Sequence, residues 1–214
     1  MRMTGHCQIQ YNFMDTQYQA GNEGLQYAAK RGLAVVVMEP IAGGRLAINP
    51  PEGIKKLWRE GYHRWKPAEW ALQWVWNQSE VSLLLSGMSA MQHVEENVKA
   101  AERSGVDKLT NEDLHLVDRV AKKYREMGFV GCTGCRYCTP CPSGVAIPEV
   151  FSLFNEFYMK DRDPAVKAKY KEQLKPEQWA KNCTNCGRCE DLCPQHPPIR
   201  MLLRGAVDAL ERER

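Results

Sequence analysis

The chain has 214 residues, 43% of them apolar, a formal net charge of +3 and nine cysteines, a length that supports one sizeable core with a smaller unit beside it. Its basic residues are spread along the chain, so no stripe fits a nucleic-acid partner. Its longest apolar runs, Leu33 to Met38 and Val81 to Leu85, are too short to span a bilayer. With no secretory leader pattern, and with cysteines clustered at ligand spacing rather than scattered, the expectation is a cytoplasmic protein with neither a membrane nor a nucleic-acid partner.

In chain order, Cys7 to Asn12 reads as a strand, Gly21 to Arg31 as a helix closed by Gly32, and Leu33 to Met38 as a second strand. The unbroken apolar run of that second strand implies burial on both faces. Cys7, alone in its strand, reads as a small buried hydrophobe. After a loop from Glu39 to Leu46 come a helix from Pro67 to Gln78, a third strand from Val81 to Leu85 and a helix from Met91 to Glu102. Three successive strand-helix units predict parallel strands with right-handed crossovers. The helix carrying Trp70, Trp74 and Trp76, with Trp65 before it, is apolar nearly all round and reads as core. A further helix spans Thr110 to Met127. The five histidines, His6, His63, His93, His115 and His196, show no catalytic pairing and read as surface or capping residues.

Eight cysteines fall in two runs. The first is Cys132, Cys135, Cys138 and Cys141 before Pro142, and the second is Cys183, Cys186, Cys189 and Cys193 before Pro194. Three thiolates so close on one loop can hold three corners of a 4Fe-4S cubane, and the fourth ligand must come from elsewhere. A zinc site would use the same residue type but favours two separated knuckles over a continuous triple run. Gly134, Asn185 and Gly187 inside the loops suit a backbone that turns its N–H groups toward sulfide. Between the runs, Pro148 opens an apolar helix through Phe151, Phe154 and Phe157, Asp163-Pro164 starts a second, and Pro176 a short third. The tail from Ile199 to Arg214 also reads as helix.

This module resembles two-cluster ferredoxin modules of the helical kind, which implies two 4Fe-4S clusters with exchanged fourth ligands. By that resemblance one cluster takes Cys132, Cys135, Cys138 and Cys193, and the other takes Cys183, Cys186, Cys189 and Cys141. The first run departs from the pattern in placing two residues, not three, before its last cysteine.

Upstream, Gln10-Tyr11-Asn12, Met38-Glu39-Pro40 with Gly43-Gly44-Arg45-Leu46, the segment Pro67 to Trp74, and Ser86-Gly87 followed by Glu95-Glu96-Asn97 resemble the aldo-keto reductase family. The whole chain is similar to the C-terminal half of an iron-sulfur-containing subgroup of it. The resemblance implies an α/β partial (β/α)8 TIM barrel over residues 1–128, comprising the last three strand-helix units, then a mainly α-helical ferredoxin-like domain over 129–214. A closed barrel takes about 250 residues, more than precede Cys132. The family's catalytic Asp, Tyr, Lys and His come from earlier strands, so no catalytic residue is assigned. For NAD(P), the resemblance implies Gln10 at the nicotinamide, Gly43 and Gly44 at the pyrophosphate, and Gly87, Ser89, His93, Glu96 and Asn97 at the adenosine end. Met38 and His93 depart from the residues many members carry, which leaves NADH against NADPH open.

Two readings follow. One is an electron-transfer oxidoreductase that exchanges electrons with a partner, in which hydride and single-electron chemistry would be coupled by an intermediary such as a flavin. The other is a non-catalytic fragment with structural clusters, completed by the missing N-terminal barrel half or by a homo-oligomer, since open strand edges invite association. The start, Met1 to His6, immediately before a strand, reads as a truncated frame.

Overall fold

The computed structural model describes residues 5–212, so most of the segment read as a truncated start, Met1 to Thr4, lies outside the described residues. The chain divides into two compact units, one ending at Tyr124 and the other beginning at Arg125.

In the first unit, β1 (His6–Gln10), β2 (Ala34–Met38) and β3 (Leu83–Leu84) form a parallel sheet in the order β1-β2-β3. Cys7 lies opposite Val35, Ile9 opposite Val37, and Val37 opposite Leu84. The helix α1 (Gly21–Lys30) links β1 to β2 and packs on both. Two helices, not one, precede β3: α2 (Glu52–Glu60) and α3 (Pro67–Trp76). The first, which the sequence reading passed over, carries Ile54, Leu57 and Trp58 at i, i+3 and i+4 among charged neighbours, and it buries Ile54 and Trp58. The third strand is shorter than the apolar run because β2 is its sole pairing partner among the described strands. Ser82 N–H donates to Val35 O at 2.9 Å and Leu85 N–H to Val37 O at 2.8 Å, closing the pairing on either side.

The sheet corrects the expectation of two buried faces. Val35 and Val37 are fully buried, but Ala34 is exposed and Val36 and Met38 are half-buried. On that same second face Gln8 is exposed and Leu83 is 54% exposed. A parallel sheet needs a layer on each side, and among the described residues only one side has it. Cys7 is likewise half-buried rather than buried.

The tryptophan helix is core, as its pattern requires: every residue of α3 from Trp70 to Val75 is buried. Trp58 stacks on Trp70 at 5.2 Å between centroids, and Tyr11 lies 5.3 Å from Trp74. Gln73 Nε2 donates to Ala100 O at 2.7 Å, tying α3 to α4 (Met91–Glu102). Thr110 and Asp113 cap α5 (Asn111–Glu126) reciprocally, Asp113 N–H donating to Thr110 Oγ1 and Thr110 N–H to Asp113 Oδ2. Four histidines are exposed, while His63 is half-buried, stacked on Trp65 at 3.9 Å with its Nε2 3.5 Å from Asp113 Oδ2.

The second unit is helical: α6 (Ile147–Met159), α7 (Pro164–Gln173), a short α8 (Arg188–Leu192) and α9 (Ile199–Ala206). The chain continues from α9 as a π-helical turn, Val207–Glu211, so the expected tail helix changes pitch, and its last two residues lie outside the described residues. Phe151, Phe154 and Phe157 of α6 meet Tyr170 of α7 and Leu203 of α9 in one core, which includes Cys189 and against which Cys132, Cys138, Cys141, Cys183 and Cys193 pack. Asp163 caps α7 by accepting from Ala165 N–H at 2.9 Å. Among the described residues no helix is long and apolar enough to cross a membrane.

Candidate metal centre

The two cysteine loops repeat one backbone course. In each run the residue before the second cysteine and the residue after it have positive φ: Gly134 (+73°) and Arg136 (+66°) in the first, Asn185 (+59°) and Gly187 (+84°) in the second. Such a pair curls successive N–H groups inward, the concavity that anions and iron-sulfur groups use. Glycine and asparagine at these positions are legible in sequence, but Arg136 is not, because non-glycine residues seldom take that conformation.

The cysteines wall two pockets. One is lined by Cys141, Cys183, Cys186 and Cys189. The other is lined by Cys132, Cys135 and Cys193. Cys138 and Ile147 contribute to both, so the pockets are neighbours on either side of the start of α6. Neither wall contains Asp, Glu or His, which leaves cysteine as the sole strong metal-ligating type present. Soft sulfur donors, at least four to a pocket, on apolar walls such as Phe151 and Leu203 fit an iron-sulfur group. Among the described residues no three Cys, His, Asp or Glu side chains close on a single-ion site.

Cys189 is buried in α8, Cys135 and Cys186 are exposed, and the other five are half-buried, so each pocket opens to solvent at its second cysteine. Burial pushes the Cys138 thiol up to about 11, with Cys132 as the next contributor, and burial followed by Glu190 pushes Cys189 up to about 11. A metal's positive charge reverses that preference and draws out the thiolate.

Anchors that the sequence reading missed hold the loops. Asn155 of α6 accepts from Val130 N–H and donates to Val130 O, both at 2.8 Å, pinning the approach to Cys132. A lone asparagine on an otherwise apolar helix face was the available signal. Arg204 Nη2 donates to Asn185 Oδ1 at 3.1 Å, and Arg200 Nη1 lies 3.4 Å from Asn185 O. Ser143 and Thr184 hydroxyls join the two runs at 2.9 Å. No local pattern marks these pairs.

The residues expected at a nucleotide lie where parallel strands end, the ligand side of such sheets. Gln10 is buried at the end of β1, its Nε2 donating to Asp15 Oδ2 at 3.0 Å. Gly43 and Gly44 sit in the loop after β2, and Gly87 and Ser89 are exposed after β3. His93 is exposed in the first turn of α4. Asn97 Nδ2 reaches Ser86 Oγ at 3.3 Å, while Glu96 is held below the usual carboxylate range by its bond to Lys66 and then Gln92. Asn12, which the reading did not select, is fully buried and donates to Asp15 Oδ2 and Glu39 O.

A parallel strand-helix unit followed by a helical unit with cysteine-walled pockets defines an α/β protein bearing an iron-sulfur domain. The chain belongs to the aldo/keto reductase family, whose model matches residues 6–122, and residues 131–197 match the 4Fe-4S dicluster domain. That family is built on a TIM barrel. The chain is 38% identical over 77 residues to the uncharacterized oxidoreductase C215.11c of Schizosaccharomyces pombe, a match covering 36% of this chain and 24% of that protein. It thus spans about a quarter of the curated relative it matches. No solved structure matches it.

Proposed function

We propose that the chain is the electron-transfer end of an aldo/keto reductase-type oxidoreductase that binds two 4Fe-4S clusters in a ferredoxin-like domain. One cluster is held by Cys132, Cys135, Cys138 and Cys193, and the other by Cys183, Cys186, Cys189 and Cys141. The observation that carries this reading is the division of the walls: Cys193, last of the second run, lines the pocket of Cys132 and Cys135, and Cys141, last of the first run, lines the pocket of Cys183, Cys186 and Cys189, with Cys138 lining both. When bound, the clusters supply one-electron chemistry. The protein's own part is to hold each thiolate in place, to turn the loop N–H groups toward the sulfides, and to exclude water with Ile147, Phe151 and Leu203.

In the first unit, the three strand-helix pairs stand as the last part of a TIM barrel whose catalytic residues lie in strand-helix units that this chain does not supply. The half-covered sheet supports that reading, because Val36, Met38, Leu83 and Leu85 line a face suited to a barrel interior. With the barrel completed, by further strand-helix units or a second copy, Gln10, Gly43, Gly44, Gly87, Ser89, His93, Glu96 and Asn97 form part of an NAD(P) wall.

Anaerobic purification with metal and acid-labile sulfide analysis tests the cluster reading. Brown protein with about eight irons and eight sulfides per chain, bleached by dithionite, is expected. Colourless protein holding zinc would overturn it.

A further inference from the structure

We propose that Arg200 raises the reduction potential of the cluster held in the pocket of Cys141, Cys183, Cys186 and Cys189, and that Glu190 works against it. The proposal rests on the cluster reading above and concerns a residue of α9 that belongs to neither cysteine run.

Arg200 lines that pocket. Its Nε and Nη2 donate to Glu190 Oε2 at 2.8 and 2.7 Å, its backbone N–H donates to Glu190 Oε1 at 2.9 Å, and Nη1 points toward Asn185 O at 3.4 Å. Its Cζ lies 3.8 Å from where a Cβ on Gly187 would stand, so the guanidinium lies along the loop backbone just past Cys186. These bonds hold the charge in one position, whereas a free arginine would swing into solvent. The carboxylate that fixes it, Glu190, adjoins Cys189 in α8, so a cation and an anion are both set beside the same pocket.

The pocket of Cys132, Cys135 and Cys193 is arranged differently. Its lining cation is Arg136, which belongs to its own loop, is 65% exposed and pairs with Glu149, whereas the other pocket has its own exposed loop cation, Arg188, and adds Arg200, whose side chain is 43% exposed and is brought in by a separate helix.

A cubane with four thiolate ligands is anionic, and reduction from [4Fe-4S]2+ to [4Fe-4S]1+ adds one electron with no bond made or broken and no proton needed. A fixed cation favours the more negative state and a fixed anion disfavours it, and net charge and hydrogen bonding are among the levers on such potentials. Removing the Arg200 charge therefore lowers the midpoint of this cluster, and removing the Glu190 charge raises it.

The experiment is a dithionite titration of the anaerobically purified full chain, followed by electron paramagnetic resonance, on the parent and on Arg200→Gln, Arg200→Lys, Glu190→Gln and Arg204→Gln. Arg200→Gln is expected to lower the midpoint of one cluster signal and leave the other in place. Arg200→Lys restores most of that shift, and Glu190→Gln, which keeps an acceptor for Arg200, moves the same signal upward. Arg204→Gln, which loses the Asn185 contact without altering the pocket's lining charge, leaves both midpoints unmoved. A purely bracing role predicts that Arg200→Gln and Glu190→Gln shift the signal the same way or not at all, and either result overturns the proposal. If Arg200→Gln loses the cluster, the upward shift in Glu190→Gln and the midpoint of Arg200→Lys decide. A parent protein with no iron or sulfide fails the cluster reading itself, whereas two intact clusters with unmoved midpoints overturn only the role of Arg200.

Discussion

The exchange of fourth ligands can be tested by asking which cysteine losses are redundant with one another. Cys193 follows Cys189 by four residues, yet it lines the pocket of Cys132 and Cys135, while Cys141 lines the pocket of the second run. If each cluster falls when one of its four ligands is replaced, Cys193→Ser alone reduces iron from about eight to about four per chain. Adding Cys135→Ser to that variant removes a second ligand of a cluster already lost, so the iron stays at about four. Adding Cys186→Ser instead removes a ligand of the surviving cluster, and the iron falls close to zero. The mirror experiment starts from Cys141→Ser, where Cys186→Ser is silent and Cys135→Ser is not. Iron and sulfide analysis of anaerobically purified protein, with the surviving signal followed by electron paramagnetic resonance, reads the outcome directly. Uncrossed ligation reverses every pairing, so a Cys193 and Cys135 double variant with no iron would refute the reasoning.

Asn155→Ala removes two buried hydrogen bonds to Val130, which is expected to cost about 1–3 kcal/mol in total and to lower the thermal midpoint of the helical unit measured by circular dichroism; an unchanged midpoint would show that the asparagine is dispensable. At high pH the buried phenols govern stability. Burial first, then the Glu80 charge, pushes Tyr11 up to about 12, and burial raises Tyr124 and Tyr170 further. A folded-state value above the unfolded value of about 10 means that the stabilisation is fully present below that pH and is lost as pH rises through the folded value. For Tyr11 the window is therefore from about 10 to about 12, and phenolate absorbance should rise together with unfolding across it. Phenolate formation at the ordinary midpoint in a chain that stays folded would contradict the burial of these rings.

The elements most legible in sequence are those closed by local chemistry. Gly32 ends α1 as the pattern requires, α4 has the expected bounds of Met91 and Glu102, and the Asp163-Pro164 start of α7 is a cap beside a proline. Features set by tertiary partners were not legible. The third strand shrinks to Leu83–Leu84 because strand length is counted in hydrogen bonds to β2, not in apolar residues. The half-burial of Val36 and the exposure of Leu83 follow from a missing covering layer among the described residues, which an apolar run cannot reveal. The eight cysteines could be found because ligand spacing is itself a chemical signal, but Asn155, Arg200 and Arg204 are joined to the loops only through folding.

The two cysteine loops show why spacing and structure carry different information. At the position before the second cysteine the chain uses glycine once and asparagine once, and after it uses arginine once and glycine once, yet all four adopt left-handed backbone. Residue preference alone accounts for Gly134, Asn185 and Gly187, since these types enter that region at little cost. It does not account for Arg136, where the conformation costs about 1–2 kcal/mol. Thr139 offsets part of that cost by donating from both its N–H and its Oγ1 to Arg136 O, at 2.9 and 2.7 Å, which closes the turn. A strained residue persists where the surroundings over-determine it. Here the same course recurs through different residue types, and at Arg136 local preference does not account for it, which is a structural reason to treat the two runs as equivalent sites.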